Sequence, residues 1–198
     1  MKNNVLVFDI ETTGLPPKGA NYETDFNKFP HIVQIAWWFN GEYHDHIIKP
    51  VDYEIPEEVV ALHGITTEIA KAKGENFQDV ILYFLGDCQN AEKIVAHNIY
   101  FDTSTVKANI LRYGANEVVY NQGVVPAMDK SKRVDTMMKT IKFVNAKYAD
   151  GRGGKWPKLE ELYFKLFQET FPAHNALEDV KALVRCLDPL VEHGVIEL

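Results

Sequence analysis

An uninterrupted apolar run, Val5-Leu6-Val7-Phe8, leads directly into Asp9-Ile10-Glu11. Such a run marks a central strand buried on both faces, which commits the chain to a sheet with both sides covered. Residues two apart on a strand share a face, so Asp9 and Glu11 continue the row begun by Val5 and Val7. The row ends in two carboxylates at the strand's C-terminal end, where ligand sites gather in open α/β sheets. A solvated strand edge is the plainest account of an isolated Asp-x-Glu. Burying two unpaired carboxylates is very costly, however, and a cation between them relieves that cost.

Two further clusters carry acids and a histidine: His97-Asn98-Ile99-Tyr100-Phe101-Asp102 and His174-Asn175-Ala176-Leu177-Glu178-Asp179. Hard divalent ions take oxygen ligands, and a fold can gather acids that are scattered along a chain. Asn175 is placed as a helix N-cap, and Glu178 three residues on completes a capping-box pattern. His174 then precedes the cap and Asp179 is the fourth helical residue. Those two positions usually meet as a hydrophobic staple, so the imidazole and the carboxylate are expected on one side. Asp102 sits near a helix start, where an N-cap role is the alternative reading. Phe101 is either core or a surface on which a base stacks.

The rest of the chain reads as a mixed sheet covered by helices. His31 to Asn40 is rich in strand formers, and Asn40-Gly41 turns it into a partner strand over Glu42 to Lys49. Pro56 to Ile69 reads as a loop and short helix, and Asn76 to Cys88 carries a helical apolar stripe. Lys93 to His97 is a second buried strand, followed by a helix over Asp102 to Tyr113 that Gly114 closes. Gly123 to Lys132 reads as a loop and Asp135 to Phe143 as a helix. Ala149 to Pro157 is glycine-rich and basic, and two helices close the chain, Lys158 to Gln168 and Leu177 to Leu187.

The 198 residues suit one domain, 1–198, with 46% hydrophobic and 25% charged residues. The two cysteines, Cys88 and Cys186, lack metal-site or redox spacing, so a reduced, cytoplasmic setting is expected with both thiols in the core. Met1-Lys2-Asn3-Asn4 leads straight into the strand without a signal-peptide pattern, and no apolar run is long enough to span a bilayer. The net charge of −7 argues against coating nucleic acid by phosphate neutralisation alone. It leaves room for a nucleic-acid enzyme, because clustered acids become an asset once divalent cations sit among them. His44 and His46 alternate on a probable strand and read as exposed polar positions rather than a second metal site; His31 and His193 read as surface.

Taken together, Phe8 to Gly14, His97 to Asp102 and His174 to Asp179 resemble the three motifs of the DEDDh 3′-5′ exonucleases. Ile32-Val33-Gln34-Ile35-Ala36, Leu62-His63-Gly64-Ile65-Thr66 and Val134-Asp135-Thr136 are similar to supporting segments of that family. The resemblance implies a ribonuclease H-like α/β fold with a five-stranded mixed sheet, and two Mg²⁺ or Mn²⁺ ions. Asp9, Glu11 and Asp179 would hold one ion, with Asp9 bridging to a second that Asp102 binds directly or through water. His174 would be the general base. Thr12, Thr13, His63, Gly64, Ile65, Asn98 and Phe101 would grip the terminal nucleotide, Ile65 as an apolar wedge; plain core packing is the other reading of Ile65 and Phe101.

The expected partner is a single-stranded 3′ end of DNA or RNA, with association with a DNA polymerase as a further option and no membrane involvement. The excursion Leu15 to Pro30 is long for a compact member. Arg152, Lys155, Trp156 and Lys158 suggest a strand-tracking loop, with a solvated loop as the alternative. Two other readings stand beside an active exonuclease: a catalytically silent nucleic-acid-binding or polymerase-associated module, and a metal phosphoesterase for small nucleotides.

Overall fold

Strand β1 (Val5–Thr12) is the spine of the molecule, and its two faces are buried in different cores. The computed structural model describes residues 4–114 and 120–198. Leu6, Phe8 and Ile10 point into the larger core with helices α3 (Phe77–Asn90) and α4 (Ile99–Arg112). Val5 and Val7 point into the second core, beneath α6 (Leu159–Phe167) and α7 (Ala176–Glu192). Between α4 and α6 lies α5 (Thr136–Val144), and the short helices α1 (Glu57–His63) and α2 (Thr67–Lys73) cover a third, smaller cluster.

The sheet has five strands in the order β3-β2-β1-β4-β5. β2 (Ile32–Phe39) is antiparallel to β1, and β3 (Glu42–Ile47) is antiparallel to β2. β4 (Lys93–Ala96) and β5 (Arg133–Asp135) continue the sheet in parallel. The expected turn is present: Asn40 and Gly41 both take positive φ, 50° and 92°, as a two-residue hairpin of this twist requires. The mixed five-stranded sheet with flanking helices is therefore the ribonuclease H-like arrangement expected from the sequence.

Several boundaries differ from expectation. Arg133–Asp135 is a strand where only a loop and a helix start were legible; it has three residues and one buried side chain, too short for a pattern. α4 begins at Ile99, three residues early, because Asn98 adopts the left-handed conformation (φ 80°) and turns the chain directly out of β4. Asp102 is thus the fourth residue of α4 and not its cap. The 57–73 segment folds as two helices separated at Gly64, not one. The supposed loop before β5 contains a wide helical turn at Tyr120–Val124 and a tighter one at Val125–Ala127. α7 continues through Pro189 to Glu192, since Leu187 and Leu190 are both fully buried and reward its last turn.

One pairing fixes the pole at which the acids meet. β1 pairs with β4 only as far as Val7 with Val95, so its last residues have no strand on that side and face the start of α4. On the other face, Gln34 of β2 is 2% exposed and accepts a hydrogen bond from the Ala176 N–H (3.2 Å) while donating to Asp45 (2.7 Å). The Ala176 amide is one of the first-turn donors that a helix leaves unsatisfied, so Gln34 seats α7 on the sheet. Replacing Gln34→Leu should lower stability in chemical denaturation by about 1–3 kcal/mol, because the buried Ala176 N–H loses its acceptor. The same variant should weaken stabilisation by divalent ions, since α7 carries Asp179; an unchanged denaturation midpoint would refute the seating role.

Candidate active site

Asp9 and Glu11 project from the same face of β1, as the period of two requires, and α7 brings Asp179 to them. One oxygen from each of Asp9, Glu11 and Asp179 lies within 4.8 Å of the others. Asp102, 3% exposed, arrives from α4 close enough that its charge acts on Asp9 more strongly than that of Asp179. Asp102 and Asp179 occupy equivalent places, each the fourth residue of its helix, where the helix dipole favours an anion.

The electrostatics of the cluster are those of crowded, half-buried anions. Burial first, then the charges of Asp102, Asp179 and Glu11, push the Asp9 carboxyl well above the ordinary range. Burial lifts Glu11 to about 7. Asp179 is also pushed up to about 7, by burial, then by Glu11 and Glu160, while the His174 and Asn175 amides oppose the rise. Asp102 is raised chiefly by burial, with Asp135 and Glu11 adding; its own amide and that of Ile10 pull the other way. All donors are carboxylate oxygens, the chemistry that hard divalent cations select.

His174 stands at the rim. Its backbone takes φ 66°, its N–H donates to Asp179 Oδ2 at 3.1 Å, and its half-exposed ring points to Glu160, with Nε2 3.8 Å from Oε1. The imidazole therefore does not pair with Asp179 as the staple geometry suggested; the backbone does, because the left-handed turn swings the ring outward. Asn175 caps α7 as expected, accepting from the Glu178 N–H at 3.4 Å. Glu178 does not close a capping box: its carboxylate is taken by Lys181 at 2.7 Å.

The remaining candidates divide. Thr12 uses its hydroxyl to close the turn after β1, donating to Gly14 O at 2.7 Å, and Thr13 accepts from the His31 N–H at 2.9 Å. His31 is thereby drawn inward, stacked on Tyr53 at 3.9 Å between ring centroids, and is not a plain surface residue. His63 is buried; Nδ1 accepts from the Ile65 N–H at 3.1 Å, and Nε2 has no hydrogen bond of ordinary geometry among the described residues. Burial lowers the His63 imidazole, and the neighbouring Thr12 backbone opposes this. Ile65 packs with Val33, Ile55 and Ala70, so its side chain is core and not an exposed wedge. Phe101 is half-buried against the larger core, whereas its neighbour Tyr100 is 66% exposed. Asn98 turns the chain at the start of α4, its N–H 3.3 Å from Asp135 Oδ1.

In the 149–158 loop, Arg152 is paired with Asp150 and Lys155 with Glu161, so those charges are locally neutralised and the exposed Trp156 is what remains to stack. His97 Nε2 reaches Pro157 O at 2.9 Å and ties the loop to the end of β4. His44 and His46 are stacked on Trp37 rather than free on the surface. Sequence reasoning gave no role to Glu160, Asp135 or Gln34. Glu160 carries no local signal, while Gln34 and Asp135 lie in the family-like segments Ile32-Val33-Gln34-Ile35-Ala36 and Val134-Asp135-Thr136, which gave neither of them a role.

A family profile described as exonuclease, RNase T type, matches residues 6–187. Subunit epsilon of DNA polymerase III from Haemophilus influenzae is 34% identical over 101 residues, covering 50% of this chain and 38% of that protein. Escherichia coli Exonuclease I in complex with a dA16 oligonucleotide shares the fold with a TM-score of 0.67 and 21% identity, over 97% of this chain and 44% of that one. Exonuclease I from Methylocaldum szegediense gives 0.69 and 19%, over 96% and 41%. The chain thus spans less than half the length of these relatives.

A pH prediction follows from the raised carboxyls. Between about 4.5 and 7 the folded, ion-free protein keeps a proton on Glu11 that the unfolded chain has released, so this contribution to stability is lost as pH rises through about 7. Half-buried His31 and His97 and buried His63 act in the opposite sense, since burial lowers their imidazoles. The difference between Glu11→Gln and wild type isolates the carboxyl. In EDTA the variant should be more stable at pH 8, by up to about 3 kcal/mol, and gain little at pH 5. Divalent ions should reverse the order at pH 8. An equal difference at both pH values would contradict the raised Glu11.

Proposed function

The chain belongs to the exonuclease family, and from that premise we propose that it removes nucleotides from the 3′ end of single-stranded DNA or RNA by hydrolysing the terminal phosphodiester. The product is a nucleoside 5′-monophosphate, and 1–198 acts as one exonuclease domain. The observation that carries this reading is the convergence of Asp9, Glu11 and Asp179 within 4.8 Å, with Asp102 beside them. An all-oxygen set of mutually repelling carboxylates fits hard divalent cations and little else. Asp9, Glu11 and Asp179 would hold one Mg²⁺ or Mn²⁺, and Asp9 and Asp102 a second. A bound pair of this kind activates water and stabilises the departing 3′-oxygen.

The chain's own groups do the rest. His174, on the rim and half-exposed, would take a proton from the attacking water. Glu160 faces its ring and orients it. The turn at Thr12 and Thr13 and Nε2 of His63 offer polar contacts to the terminal nucleotide. Asn98 fixes the approach to α4, and the aromatic pair Tyr100 and Phe101 supplies a stacking face. The oligonucleotide complex of Exonuclease I supports a nucleic-acid strand as substrate. Likeness to a DNA polymerase III subunit favours a second reading of context, in which the domain serves a polymerase.

The test uses 5′-labelled single-stranded DNA and RNA of one sequence with Mn²⁺ or Mg²⁺. A ladder shortening from the 3′ end, abolished by EDTA and by Asp9→Asn, is expected. His174→Ala should cost roughly 10²–10⁴-fold in rate while calorimetric metal binding persists. Folded, metal-binding protein that yields no ladder on either strand would instead support the silent binding module.

A further inference from the structure

Trp156 is the exposed one of the chain's three tryptophans: it is 58% exposed, whereas Trp37 lies fully inside the larger core and Trp38 packs partly buried against the second. Isolated exposed apolar residues are ordinary on a protein surface. What sets this one apart is that the chain on either side of it is held. Before it, Lys155 Nζ donates to Glu161 Oε1 at 2.6 Å. After it, Pro157 O lies 2.9 Å from His97 Nε2, and the Lys158 N–H donates to Glu161 Oε2 at 2.8 Å.

Those anchors place the indole at the catalytic pole. His97 follows the end of β4, and continuing the register of β1 with β4 (Val5 with Lys93, Val7 with Val95) sets it level with Asp9. Four residues after Trp156, Glu160 approaches His174, and its charge reaches Asp179. Trp156 therefore borders the carboxylate cluster on its β4 side, where α4 also begins with Tyr100. Thr12, Thr13 and His63 stand on the opposite, β2 side: Thr12 pairs with Ile32, Thr13 bonds to His31, and the His63 ring meets the Thr12 backbone. A strand whose terminal nucleotide sits on the β2 side crosses the cluster and leaves past Trp156.

Charge does not supply the grip at this loop. Arg152 is paired with Asp150, and Glu161 faces both Lys155 and Lys158. Stacking on an indole needs no phosphate neutralisation, and every base offers a π-face to it. It does need a base that is free of its own duplex, since unstacking and unpairing carry a cost.

We propose that Trp156 stacks on an unpaired base upstream of the terminal nucleotide, and so makes the domain selective for single strands long enough to reach the loop. The direction of the strand rests on the exonuclease reading above; the contact between indole and base does not.

Two readouts on the full-length protein test this. In Asp9→Asn with Mg²⁺, where no turnover is expected, tryptophan fluorescence is titrated with a dT decamer. Trp37 and Trp38 persist in Trp156→Phe, so the difference between proteins with and without that change isolates the exposed indole. A saturable quench confined to the protein that keeps Trp156 is expected, and a blunt dA·dT duplex of the same length should produce far less of it. The second readout is hydrolysis of a dT decamer and a dT dinucleotide. Trp156→Ala should lower kcat/KM for the decamer roughly tenfold more than for the dinucleotide, mainly through KM, and Trp156→Phe should recover most of the loss. No quench attributable to Trp156, an equal quench with the duplex, or equal losses on both substrates would overturn the contact. A wild type that degrades neither substrate, with the quench present, would defeat the exonuclease reading and leave the contact standing.

Discussion

Mutual repulsion among Asp9, Glu11, Asp102 and Asp179 is the constraint around which this molecule is built. At a separation of 4.8 Å and an effective dielectric of about 20, each fully ionised pair among Asp9, Glu11 and Asp179 costs about 3–4 kcal/mol. No isolated segment would hold that arrangement. It is imposed by a sheet whose central strand is buried on both faces and by two helices that each deliver an acid in the first turn. The pole is also where β4 stops short, exposing the end of β1 to α4 instead of to another strand. Burial first, and then the neighbouring carboxylates, raise these carboxyls, and clustered acids of this kind favour a bound cation.

The supports are correspondingly specific. α7 owes its place to buried Leu183, Leu187 and Leu190 below and to Gln34 at its first turn. α4 owes its place to the left-handed Asn98, whose N–H meets Asp135 at the end of β5, while Asp135 also caps α5 through the Met138 N–H. His97 and Pro157 then tie the loop before α6 to the same pole. Glu160, near the start of α6, is thereby brought to His174. Rigid elements carry the carboxylates, and a loop-borne residue carries the imidazole, which divides the site into a fixed charge cluster and an adjustable rim.

Much of this was legible before any coordinates. The apolar run before Asp9 announced the buried strand, and Asn175 announced the start of α7 with Asp179 in its first turn. What escaped was set by tertiary context. Three residues of β5 cannot display a period, so the resemblance implied five strands without placing this one. The early start of α4 depends on a backbone conformation that Asn tolerates but does not announce. Pro189 normally argues for a helix end, and only the burial of Leu190 overrides it. Ile65 sits in a motif whose resemblance suggested a wedge, and packing against Val33 claimed it instead.

The junction at His174 shows how the two halves of the site are linked. A non-glycine residue at φ 66° is held in a sparsely populated conformation, which costs of order 1–3 kcal/mol unless local contacts offset it. The hydrogen bond from the His174 N–H to Asp179 Oδ2 is the contact that does so, and the Asn175 cap immediately after it fixes the following turn. The same carboxylate therefore belongs to the acidic cluster and holds the backbone turn from which the imidazole projects. Loss of the Asp179 carboxylate would therefore remove both one member of the acidic cluster and the bond that holds this turn.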